Sequence, residues 1–141
     1  MTQTDSIARQ EWTTLQNQYD SYEKYSLLIK LVNIMLMSSM LIFGYHGVWG
    51  IALIVILWLQ DSIWKTFQQR IENRLLAVEK MLASNEQEDG MQFNSSWQES
   101  RPGTIGLVVE YLSQSIRPTV AFPHALLVAI ALLAGPSSII G

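Results

Sequence analysis

Two stretches of this chain carry no charged residue: Leu31 to Gln60, and Thr119 to Gly141. A soluble domain of 141 residues has no core able to hold both, because small domains bury only part of their surface. A hydrocarbon core about 30 Å thick, in contrast, takes about 20 apolar helical residues per crossing. Charged residues make up 15% of the chain, against about 25% in soluble domains, and those present are confined to the remaining segments. The pattern predicts an all-α integral membrane protein. Two buried helices in a soluble fold are the alternative, but a helix buried on all sides is rare outside large proteins.

The first charge-free stretch divides at Gly44-Tyr45-His46-Gly47, a glycine-bracketed turn. Leu27–Gly44 and Val48–Ile63 flank it, and the expected arrangement is an antiparallel transmembrane hairpin with spans at about 26–44 and 48–64. Tyr45 and Trp49 would mark one interface, and Tyr22, Tyr25 and Trp64 the other, as an aromatic belt does.

Both spans continue as amphipathic patterns into polar arms at 5–25 and 65–84. In the first arm Trp12, Leu15, Tyr19 and Tyr22 recur at steps of three and four; in the second, Phe67, Ile71, Leu75, Val78 and Leu82 do so. Such stripes mark faces that meet another helix, so they are read as an association surface. Asp5 is the expected N-cap of the first arm, and the second pattern stops at Asn85. Arms lying flat on a membrane would carry more Lys and Arg on their polar faces than the Gln, Glu, Asp and Asn found here.

The segment 85–103 is polar and turn-rich and is expected to be a linker. In 104–117, Ile105, Val108, Val109, Leu112 and Ile116 fall on one face, which predicts a short amphipathic helix lying in the interface. The run 119–140 is long enough for a third transmembrane helix. Ala125-xxx-Ala129 and Ala131-xxx-Gly135 would permit close helix packing, and Gly135-Pro136 could end the helix early so that it only dips into the membrane. All nine Lys and Arg residues lie before Leu31 or between Lys65 and Arg117. By the positive-inside rule the N-terminus, arms and linker are cytoplasmic and the C-terminus is outside. In outline the chain is similar to small bacterial inner-membrane proteins, which implies that location and transfers no residue role.

The chemistry-bearing residues are few. With no cysteine, disulfides, thiolate metal sites and thiol nucleophiles are excluded; a net charge of -3 argues against a nucleic-acid binder. No phosphate-binding glycine loop or metal-ligand spacing occurs. His46 and His124 are placed at opposite faces, so no haem, metal or other cofactor is expected. The intramembrane polar residues are Lys30, Asn33, Ser38, Ser39, Gln60 and Asp61. Ser38 and Ser39 read as helix-packing polarity. Lys30 and Asp61 are equally distant from the turn, which places them at one depth and suggests a structural pair. The expected function is a non-enzymatic accessory, scaffold or regulatory subunit of an inner-membrane assembly. Its partners would be the lipid bilayer and other membrane subunits or further copies of itself. A homo-oligomeric pore using Lys30, Asn33 and Asp61 is one alternative, and a membrane enzyme or cofactor-binding subunit is another.

Overall fold

A computed structural model describes residues 3–44, 47–84 and 91–135, with the backbone alone at 3–5. Among these the fold is all-helical: α1 (Gln3–Phe43), α2 (Val48–Ser84), α3 (Phe93–Ser100), α4 (Thr104–Ser115) and α5 (Pro118–Leu133). Both α1 and α2 are long and apolar enough to cross a membrane. Each runs from an apolar segment into a polar one without a break, since no proline or glycine interrupts the junction. The Tyr45–His46 turn and Asn85 lie outside the described residues. Gly44 and Gly47, which flank the turn, have φ of 72° and 154°, a region open to glycine and costly for other residues.

Contacts between α1 and α2 pair early residues of one with late residues of the other. Trp12 Nε1 donates to Glu79 at 3.0 Å, Arg74 meets Glu11, and Gln68 Nε2 donates to the Tyr19 carbonyl at 3.4 Å. Further along, Met37 packs with Ile54. On α2 the buried face includes Ile54, Asp61, Gln68 and Leu75 at steps of seven, with Ile71 between the last two and Val78 beyond them. A seven-residue repeat keeps one seam turned toward a partner helix.

That seam corrects one residue of the sequence stripe. Phe67 is 36% exposed, while the neighbouring Gln68 is buried. One residue earlier in the helix is about 100° around its axis, so Phe67 cannot share the Gln68 position. The rest of the stripe is spent within the chain. Leu15, Ile71 and Leu75 form one cluster, flanked by Trp12, Tyr19 and Tyr22; Val78 is fully buried and Leu82 partly so.

Two further expectations are corrected, and a third is described only in part. Asp5 does not cap a helix, because α1 already begins at Gln3. The linker is not irregular throughout: it contains α3. An isolated eight-residue helix is marginal in water, and two aromatic side chains one turn apart hold this one. Phe93 packs on the Leu15–Ile71–Leu75 cluster, and Trp97 lies over the Arg70 guanidinium, 3.7 Å from carbon to ring centroid. Third, α5 is 16 residues long and ends at Leu133, with Ala134 as its C-cap before a left-handed Gly135 (φ 78°). At about 1.5 Å per residue it is shorter than a hydrocarbon core about 30 Å thick. Residues 136–140 of the expected span lie outside the described residues. The pair α4–α5 is bent by 72° at its junction.

The packing stripe of α5 is Val120, His124, Leu127 and Ala131. Leu127 and Ala131 complete the cluster with Met37 and Ile54. Ala125 and Ala129 are exposed and off this face, so their spacing does not bring α5 to its neighbours.

Candidate functional site

The apolar halves of α1, α2 and α5 enclose a cluster of polar side chains. Asp61 and Ser62 on α2 are fully buried, as is His124 on α5; Asn33 and Ser26 on α1 are 1% exposed. Burying such groups is tolerable only when each finds a partner; here Ser62 Oγ donates to the Trp58 carbonyl, and the others find one another.

Asp61 is the hub. Ser26 Oγ donates to its Oδ1 at 2.5 Å, while Oδ2 lies 3.1 Å from Lys30 Nζ and 3.3 Å from His124 Nε2. Lys30 Nζ also donates to Ser26 Oγ at 2.8 Å, which turns the serine proton toward the carboxylate. On the far side of the imidazole, Asn33 Nδ2 is 2.6 Å from His124 Nδ1. An amide NH2 against Nδ1 makes that nitrogen the acceptor and leaves the ring proton on Nε2, where the carboxylate can receive it.

Trp58 closes one side. Its ring stacks on His124 with centroids 6.1 Å apart, and its Nε1 donates to the Ser115 carbonyl at the end of α4 at 3.0 Å. The tryptophan thus joins the polar cluster to the bend between α4 and α5.

Of the polar residues singled out in the sequence, the structure brings Lys30, Asp61 and Asn33 together. It leaves Ser38, Ser39 and Gln60 exposed, and Ser39 Oγ donates back to the Met35 carbonyl of its own helix. Ser38 and Ser39 therefore do not mediate packing between the helices of this chain. His46 lies outside the described residues. Sequence reasoning weighed His124 only as a ligand and set it aside, and it did not single out Ser26 or Trp58. A signal for His124 was present: it shares the spacing of Val120, Leu127 and Ala131, so a polar side chain sits on the packing face of an apolar helix. Ser26 also lies on the first arm's stripe, but a lone serine there carries no partner information.

Toward the polar end lie two more charged groups that the sequence did not pair. Glu11, 4% exposed, accepts from Arg74 Nε at 2.8 Å and from the Met91 N–H at 2.7 Å. Burial acts to raise the Glu11 pKa, but the Arg74 hydrogen bond, the Met91 N–H and the Arg74 charge together outweigh it and hold the carboxyl below its ordinary value. Met91 reaches this contact with φ of 64°, a left-handed conformation costing about 1–2 kcal/mol, which the charge-assisted bond offsets. Lys65 is pushed the other way: burial, then the nearby Lys30 charge, lower its pKa against the opposing pull of Glu23 and Asp61.

Among the described residues no three His, Asp or Glu side chains converge as a metal site would require. Ser26 Oγ donates to Asp61 and accepts from Lys30, with no imidazole bonded to it. Comparison of the chain with protein-family profiles, with curated proteins and with solved structures finds no match in any of the three.

Proposed function

We propose that the chain is a non-enzymatic membrane scaffold or accessory subunit. In this reading α1 and α2 form a transmembrane hairpin whose polar arms make a paired cytoplasmic stalk. The outward apolar face of α4, with Ile105 82% and Ile116 75% exposed, lies in the interface. The following α5 is inserted beside the hairpin, and the basic residues place the N-terminus in the cytoplasm of a bacterial inner membrane.

The observation that carries this reading is the mutual pairing of the buried Asp61, His124 and Asn33. Transport or catalysis needs ionisable groups turned toward a cavity or a substrate. Here Asp61, His124 and Asn33 are turned toward each other, and their common effect is to hold three helices in one register. Because the arm stripes are consumed between the arms, association with another subunit falls to the outer surface of the stalk. A broad cleft near its tip, lined by Arg9, Trp12, Glu79 and Leu82, offers such a surface.

Purification in mild detergent, with light scattering for mass and cross-linking mass spectrometry for neighbours, tests the reading. A stable complex, with cross-links from the stalk, is expected. A strictly monomeric chain without neighbours would overturn it.

A second reading, an ion or proton path, rests on the unbroken chain Lys30–Ser26–Asp61–His124–Asn33. It requires proton flux in proteoliposomes that Asp61→Asn abolishes. A pore between copies fits less well, because Asn33 and Asp61 face the interior of a single chain.

A further inference from the structure

We propose that the cleft between α1, α2 and the start of α5 binds the phosphate of an anionic phospholipid. The cleft is about 320 Å³ and is lined from three elements: Lys24, Lys30 and Ser26 on α1, Lys65 on α2, and Thr119 on α5. The inference rests on the membrane placement proposed above, in which these residues lie at the cytoplasmic boundary.

Three features select the ligand. The first is charge. Lys24, Lys30 and Lys65 line the cleft against Glu23, and Asp61 behind Lys30 takes up one further positive charge. Three cations less two carboxylates leave one positive charge, which suits a phosphodiester monoanion better than a phosphate dianion. Arg117, outside the lining, adds to the field on Lys65. Burial of Lys65, then the Lys30 and Arg117 charges, disfavour its charged form against the pull of Glu23 and Asp61, and an anion in the cleft would favour it.

The second feature is hydrogen bonding. Helix α5 begins at Pro118, and the Val120 and Ala121 N–H groups donate to the Arg117 carbonyl at 2.9 and 2.7 Å. The Thr119 N–H at the second helical position precedes any helical acceptor, so the positive end of α5 adds its donor to the lysines. The third is the apolar rim. Leu27, 57% exposed, lines the same cleft. A lipid presents a phosphate and an acyl chain together, whereas a free phosphate makes no use of the leucine. Basic pockets between helices at the cytoplasmic side are the expected seats of anionic headgroups.

The test is native mass spectrometry of the full chain in detergent with phosphatidylglycerol, phosphatidylcholine and inorganic phosphate as probes. Preferential retention of phosphatidylglycerol is expected. Lys24→Gln and Lys65→Gln, both outside the Asp61 hydrogen bonds, should each lower it about fivefold. Lys24→Arg and Lys65→Arg should retain it, which separates loss of charge from loss of fold. Equal retention of both lipids, or unchanged retention in the double glutamine variant, would overturn the proposal. So would displacement by inorganic phosphate without lipid preference, which would indicate a free-phosphate site. Extraction of membranes with alkaline carbonate is scored separately. A chain that washes off refutes the membrane placement and the proposal with it; a chain that stays in the membrane but shows no headgroup preference refutes the cleft alone.

Discussion

Asp61 of α2 and His124 of α5 face each other at 3.3 Å with neither side chain exposed to solvent. Together with the Asn33 contact at the other ring nitrogen, it ties α5 to the α1–α2 pair in polar terms. His124→Leu would leave the Asn33 amide without its acceptor and remove one donor from Asp61. A loss of about 1–3 kcal/mol is expected, the cost of an orphaned buried polar group. Thermal unfolding in detergent measures it, and faster proteolysis at the α4–α5 bend should accompany it.

Lys30 and Asp61 should behave asymmetrically on substitution. Lys30→Met removes the cation and leaves a buried carboxylate, for which about 3–5 kcal/mol is the expected cost. Adding Asp61→Asn should recover part of that loss, because the amide oxygen can still accept from Ser26 or His124. The charge reversal Lys30→Asp with Asp61→Lys should recover less, since a lysine at 61 would meet the His124 N–H donor to donor. Comparing the midpoints of the three variants decides the order.

Acid should weaken the stalk through Glu11. Its folded pKa lies below the ordinary glutamate value of 4.5, so the unfolded carboxyl binds protons more readily. Its contribution is present above about pH 4.5 and is lost as pH falls through the lower folded value. Melting curves between pH 7 and pH 3 should show this slope, and Glu11→Gln should flatten it.

The seam gives a position-specific contrast. Leu75→Asp places a charge where the side chain is 6% exposed; Phe67→Asp places it where exposure is 36%. The first substitution is expected to destabilise the fold by several kcal/mol more than the second, where the main loss is the contact with Arg70, 4.8 Å from the ring centroid. Equal effects would mean that the two arms do not pack as described.

Topology reporters test the placement of α5. A reporter inserted at Gly90 should read as cytoplasmic and one fused after Gly141 as extracytoplasmic. Cytoplasmic readings at both positions would show that the bent α4–α5 pair re-enters without crossing.

The sequence by itself determined the class of this fold. Long charge-free stretches and three-four spacings report local facts, namely which residues cannot face water and which share one side of a helix. Those facts suffice for an all-helical chain with two helices long and apolar enough to cross a membrane. Distance from the turn places Lys30 and Asp61 at one depth, but depth says nothing about rotation around the helix axes. Only the tertiary structure turned both inward, displaced Phe67 from the seam in favour of Gln68, and spent the arm stripes on each other. It alone carried α5 back across the pair so that His124 meets Asp61, residues 63 apart in the chain. Periodicity is a property of one helix, whereas the polar cluster is a property of three, and no spacing within a single element encodes where the others arrive.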